Sequence, residues 1–284
     1  MDKEIVVNRP VVWFVGRDSH EEFAPALEWL QLHTDLVVFR TVDLALRPGT
    51  PDRPQPAAMI LGQSRRGEFS PDEQERLLRY APLAETVVVL GSWCEGETRS
   101  GSPATGWQRV YWHQFVDRAR VELLPGLSNE QGAERQACRL PRTVTENERG
   151  LARSRWRIPL GVGCIAINTP SQVDYEAVAE ACQAAGYETI WCQQSDSSEI
   201  GAVRCVVWDR WGFENDDLTA WTEWRKEWKH LPTVATIGFP RKQDLQLVTS
   251  GTVEAIVGKP FVLAELLNAL EKVVGRPQET DQAA

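Results

Sequence analysis

The chain has 284 residues, 42% hydrophobic and 25% charged, with 20 Gly and 17 Pro, a globular composition that excludes a collagen-like, mucin-like or wholly disordered protein. Forty acidic against 31 basic residues give a net charge of -9, which disfavours wrapping nucleic acid or an anionic membrane, where clustered positive charge must displace counterions. The longest apolar runs, such as Thr86 to Leu90 and Cys205 to Trp208, fall far below the roughly 20 residues of a bilayer span, and Met1-Asp2-Lys3-Glu4 lacks the basic flank and apolar centre of a secretory leader. The expected compartment is the cytoplasm.

In chain order, Val11 to Val15 reads as a buried strand and Glu21 to Leu32 as a helix with Phe23, Leu27 and Leu30 on one face. Leu36 to Phe39 is a second strand. The Pro-rich passage from Pro48 to Pro56 leaves any second helix short or missing, and Ala57 to Leu61 resumes as a strand. Ser70-Pro71-Asp72-Glu73 combines a cap, a proline at the first helical position and an acidic first turn, and so starts a helix that runs to about Tyr80. Thr86 to Leu90 and Val110 to Trp112 are further strands, and Phe115 to Leu124 is a closing helix.

The rhythm then breaks. Between Gly132 and Arg157 the chain carries seven Arg against three Glu, which reads as a solvated linker or a docking segment for an acidic partner. It restarts with a strand at Cys164 to Ile167, a helix to about Ala185 stopped by Gly186, and strands at Glu188 to Cys192 and Val203 to Trp208, the latter ended by Asp209. Asp216 to His230 is a helix, Thr233 to Ile237 and Ala255 to Val257 are strands, and a last helix is expected from Pro260 to a stop at Gly275. Strands separated by helices need parallel sheets with helices on both faces. The expected fold is therefore α/β: two doubly wound (βα)5 domains in tandem, residues 1–125 and 158–276, joined by an Arg-rich linker over 126–157 and followed by a tail over 277–284.

The six cysteines, Cys94, Cys138, Cys164, Cys182, Cys192 and Cys205, contain no C-x-x-C pair, so buried free thiols are expected rather than a zinc site or disulfides. Trp221, Trp224, Trp228 and Leu231 fall at i, i+3, i+7 and i+10. This one helical face either packs on the sheet or, with Trp211, forms an exposed aromatic surface for a protein partner. The loop from Trp93 to Trp107 lies at the carboxyl edge of its strands, where Glu95, Glu97, Arg99 and His113 are candidates for a small polar site. An enzyme built there would use Cys94 or Glu95 with His113.

An Asp at the end of the third strand and Gly258-Lys259-Pro260-Phe261 after the fifth, leading into an apolar helix, give residues 158 to 275 a resemblance to the receiver domain of bacterial response regulators. The first half resembles a more diverged copy. Receivers transfer a phosphoryl group to an Asp with the help of a divalent cation held by an acidic pair after the first strand. The resemblance implies that Asp209 is the acceptor, Lys259 the phosphate-binding lysine and Lys259-Pro260 a cis bond, with Thr236 or Ile237 at the switch position. The acidic pair departs from the pattern: Asn168 and Thr169 stand in its place, and Gly251 to Pro260 is one residue longer than the family's spacing. In the first half Gly16 and Arg17 replace the pair and Gly62 the acceptor, while Asp18 reads as a helix cap. The resulting expectation is a non-enzymatic signalling or scaffold protein of two pseudo-receivers, acting through an unidentified protein partner, with homo-oligomerisation left open. It needs no cofactor, and magnesium only if Asp209 is still phosphorylated. The alternatives are a live phosphoacceptor at Asp209 and an unrelated α/β enzyme at the Cys94 to Arg99 loop.

Overall fold

A computed structural model describes residues 9–48, 54–101, 103–123, 127, 161–192, 203–212, 215–228 and 231–275. The Arg-rich linker, apart from residue 127, the tail over 277–284 and Cys138 lie outside the described residues. The chain divides into two compact units, residues 1–156 and 157–284.

In the first unit, β1 (Val11–Gly16) leads through a 3-10 turn (Glu21–Phe23) into α1 (Ala24–His33), followed by β2 (Asp35–Phe39) and a single-turn α2 (Val42–Ala45). Then come β3 (Ala58–Arg65), α3 (Pro71–Tyr80), β4 (Glu85–Trp93), α4 (Glu97–Ser100), β5 (Gln108–Tyr111) and α5 (Phe115–Arg118), which continues as a π turn over Ala119–Leu123. All strands are parallel, in the order β2-β1-β3-β4-β5. The start of α3 is the expected one: the Ser70 hydroxyl accepts from the Glu73 amide at 3.3 Å, and Glu73 reaches back to the Ser70 amide at 2.8 Å. The strand β3 runs four residues beyond the apolar stretch because buried Gln63 and Ser64 find partners in Glu97 and Glu68.

The second unit repeats the plan with β6 (Cys164–Asn168), α6 (Gln172–Ala184), β7 (Glu188–Trp191), β8 (Val203–Asp209), α7 (Asn215–Trp228), β9 (Thr233–Gly238), α8 (Lys242–Thr249), β10 (Ala255–Lys259) and α9 (Leu263–Val274). Its parallel order, β10-β9-β8-β6-β7, is the same 2-1-3-4-5 winding, the flavodoxin-like arrangement. Two elements depart from expectation. The sequence reading had no helix at α8, whose short segment is polar at its start; there the Asp244 carboxylate accepts from the Arg241 amide at 2.6 Å. The last helix begins at Leu263, not Pro260, because Val262 is extended (φ -91°, ψ 150°) and serves as its cap, with Glu265 accepting from the Val262 amide.

Side chains alternate across each strand. On one face of the second sheet Ile165, Ile167, Cys205, Val207, Val234 and Val257 pack against α6 and α9. On the other, Trp208, Ala235 and Ile237 pack against α7 and Val253. Among the described residues no helix is long and apolar enough to cross a membrane.

Candidate functional site

The pocket at the carboxyl edge of the second sheet follows from strand alternation. Asp209 is two residues beyond Val207, Thr236 two beyond Val234 and Lys259 two beyond Val257, so each extends the α6/α9-facing apolar row by one step. Asp209 and Thr236 are also paired in register across β8 and β9. Three polar groups far apart in sequence thereby converge above one core.

The Asp209 residue is 2% exposed, and internal donors reach both its oxygens. Oδ1 lies 2.7 Å from Lys259 Nζ and also accepts from the Thr236 hydroxyl, while Oδ2 accepts from Thr169 Oγ1 at 3.2 Å. A buried carboxylate is costly unless paired and hydrogen-bonded, and here it is both. The Lys259–Pro260 peptide is cis. Thr236 is the hydroxyl in the pocket, whereas Ile237 faces the tryptophan cluster. Despite the longer spacing before it, Lys259 reaches Asp209.

Asn168 and Thr169 separate. Thr169 joins the carboxylate, and its carbonyl accepts from Trp191 Nε1 at 3.0 Å. Asn168 is held by a residue that the sequence reading passed over, Arg210. The Arg210 guanidinium donates from Nη2 to Asn168 Oδ1 at 2.7 Å, and from Nη1 to the carbonyls of Asn168 at 2.9 Å and Asp209 at 2.6 Å. Magnesium requires hard oxygen ligands, usually with one or two carboxylates. Among the described residues this edge offers one carboxylate already ion-paired, a neutral amide and a hydroxyl, and these do not fit the ion. Among the described residues no cluster of three His, Cys, Asp or Glu is placed to hold a metal.

The tryptophan stripe belongs to the core, the first of its two expected readings, and is not the alternative partner surface. Trp221 and Trp228 are 5% and 4% exposed, and Trp224 is half-buried. Trp208 meets Trp221 and Trp224 with ring centres 5.1 Å apart, and Trp224 stacks on Trp228. Trp211 differs. It is 76% exposed, and Lys259 Nζ lies 5.3 Å from its ring centre at the mouth of the pocket.

In the first unit the equivalent edge is filled. Gly16 and Gly62 are in register on β1 and β3, and a Cβ at Gly62 would fall 2.4 Å from the Phe14 ring and 3.1 Å from that of Phe23. Both rings are fully buried. Asp18 is not a cap: it lies 3.8 Å from Arg40, and the following 3-10 turn has no side-chain cap.

The loop candidates do not assemble into one site. Trp93 and Arg99 are exposed, whereas Glu97 is buried and accepts from Gln63 Nε2 at 2.7 Å and Arg109 Nη2 at 2.9 Å. The backbone carbonyl of Glu95 is bonded by Arg66. The buried Cys94 thiol donates to the Gln63 carbonyl at 3.3 Å, and desolvation pushes its pKa up to about 11, so it is not a thiolate at neutral pH. Burial likewise pushes Cys182, Cys192 and Cys205 to about 12. The five cysteines among the described residues are free thiols.

His113 is no general base for this loop. Its ring nitrogens are buried without a hydrogen-bond partner, between Tyr111 and Trp112, and burial lowers its pKa to about 3. The unfolded chain takes up this proton below about pH 6.5 while the folded chain resists until about pH 3, so acid favours unfolding over that window. Between pH 7 and pH 4.5 the residue is expected to remove about 2 to 3 kcal/mol of stability. Urea unfolding of the wild type and His113→Phe at both pH values measures this. An equal acid loss in both proteins would exclude the histidine as the cause.

The fold is that of a receiver-like α/β protein, with an Asp, a Lys and a Thr meeting at the strand ends of the second domain beside Asn168 and Thr169, and glycines at positions 16 and 62 of the first. No protein-family model matches the sequence, and no curated protein matches it. Solved structures similar to it include a response regulator receiver domain protein of Clostridium thermocellum (15% identity, 40% of this chain and 94% of that one, TM-score 0.32). The receiver domain of HemR from Leptospira biflexa is similar at 21% identity over 41% of this chain and 99% of that one, with TM-score 0.33. A pilus assembly-related protein of Burkholderia pseudomallei is similar at 15% identity over 39% and 88%, with TM-score 0.33. At these scores the likeness adds nothing to the strand order, which defines the fold by itself.

Proposed function

We propose that the protein is a signalling or scaffold component whose tandem receiver-like domains work through protein contacts and not through phosphoryl transfer. The observation that carries this reading is the occupancy of Asp209, a buried carboxylate with Lys259, Thr236 and Thr169 already on its oxygens. To attack a phosphoryl group this hydrogen-bonded carboxylate would have to face an anion with Asn168 and Thr169, not an acidic pair, beside it to hold a neutralising divalent ion. Trp211, exposed beside Lys259 at the mouth of the pocket, is the contact residue this reading favours, since an exposed indole offers large area at small entropic cost.

The second reading, a phosphoacceptor using Asp209, draws on the 2.7 Å Lys259–Asp209 pair and on Thr236 beside it. Incubating the full chain with acetyl phosphate and magnesium and weighing it by intact-mass spectrometry separates the two. The expected result is an unchanged mass. A phosphoryl increment that disappears in Asp209→Asn would overturn the protein-contact reading.

A further inference from the structure

We infer that the guanidinium of Arg210 is the resident cation at the β6–β8 edge of the second domain, so that the pocket around Asp209 works without a divalent metal. The inference deepens the function proposed above and rests on it.

One planar side chain takes three oxygens at the joint between two neighbouring strands: the Asn168 amide oxygen, the Asn168 carbonyl and the Asp209 carbonyl, all within 2.9 Å of Arg210 nitrogens. These are hard, neutral oxygens of the kind a divalent ion would coordinate. Arg210 saturates them with N–H donors in a fixed fork that needs no dehydration of a metal ion. Its placement is supported from behind, because the guanidinium carbon lies 4.2 Å from the centre of the Trp208 ring, and that indole is 1% exposed against Trp221 and Trp224 of α7. A cation held over a buried indole and tied to three oxygens is a built part of the domain.

Charge balance points the same way. Lys259 already supplies a positive charge to the Asp209 carboxylate at 2.7 Å, and the Arg210 guanidinium lies against the Asp209 carbonyl at 2.6 Å. A divalent ion brought to the Asp209 carboxylate would meet these two cations at close range. Arg210 also links the pocket to the helical layer through β8: it bonds the Asp209 carbonyl on one side and lies over Trp208 on the other, the indole that meets Trp221 and Trp224 of α7.

The test uses the full chain and Mn2+ as the probe, by calorimetric titration. The wild type is expected to show no saturable uptake. Asn168→Asp/Thr169→Asp/Arg210→Ser removes the arginine and supplies two carboxylates beside Asp209, and is expected to take up one Mn2+ per chain. Putting the arginine back, in Asn168→Asp/Thr169→Asp, should weaken that uptake by at least about 10-fold, the scale on which neighbouring groups tune metal affinity. Near-UV circular dichroism, which reports the tryptophan cluster, shows whether each variant is folded. Saturable Mn2+ uptake by the wild type that is lost in Asp209→Asn overturns the inference. So does a folded triple variant that takes up no Mn2+, or equal uptake with and without Arg210. The two readings fail separately: phosphoryl transfer to Asp209 in the presence of a chelator would sink the proposed function and leave the resident arginine standing. Metal uptake by a wild type that accepts no phosphoryl group would do the reverse.

Discussion

Lys259→Met is expected to destabilise the second domain by about 3 kcal/mol, the lower end of the cost of removing one partner from a buried ion pair. The lower end applies because the lysine side chain is 20% exposed whereas that of Asp209 is 3% exposed, so water screens one side of the pair only. The variant keeps the volume of the stem and deletes the ammonium, leaving the carboxylate with the Thr169 and Thr236 hydroxyls. Asp209→Asn/Lys259→Met removes both charges and should recover most of the loss, since the desolvation penalty of the carboxylate disappears with its charge. Urea unfolding followed by tryptophan fluorescence measures all members of the cycle. At a slope of about 2 kcal/mol per molar urea, the single variant shifts the midpoint down by about 1.5 M. A loss below about 1 kcal/mol would mean that the lysine is not what holds the carboxylate in place.

Placing an acidic side chain on β3 in the first domain should fail outright. Gly62→Asp is expected to cost at least about 4 kcal/mol, because it combines overpacking with burial of a carboxylate beside phenyl rings. Even the Cβ would stand 2.4 Å from the Phe14 ring and 3.1 Å from that of Phe23. Gly62→Ala isolates the steric part and should cost about 2 kcal/mol. Thermal unfolding of both variants, with the soluble fraction on expression as a second measure, tests the pair. A Gly62→Asp protein that melts like the wild type would show that the phenyl rings yield and that this edge still has room for an acceptor.

Much of this architecture was readable from the residues alone. Apolar runs such as Val11 to Val15 and Val203 to Trp208 separated by amphipathic stretches give parallel strands, since each crossover needs a helix's length of chain. Ser70 with Glu73 announced the start of α3, and Asp209 and Lys259 were visible as charged residues ending otherwise apolar strands. The helix at Lys242–Thr249 was missed because eight residues with a polar first turn carry little periodic signal. Arg210 was missed for another reason. A charged residue just past a strand reads as solvated loop, and its partner Asn168 is 42 residues away. The clue lay in its position next to Asp209 and opposite an amide where the family has an acid.

By itself the sequence determined the two-fold repeat of β-α units and the residues that end its apolar runs, Asn168 and Asp209 in the second half and Gly16 and Gly62 in the first, because these depend on local periodicity and on which residue ends which run. Only the tertiary structure decided the rest. Helical spacing says that Trp221, Trp224 and Trp228 share a face but not whether that face meets core or water, and packing against Trp208 buries it. A glycine at position 62 says that a side chain is missing but not that Phe14 and Phe23 have filled the space. The state of Asp209 is likewise a property of four strand ends brought together: hydrogen bonds and ion pairs form between neighbours in space, and in a parallel sheet those neighbours come from distant parts of the chain.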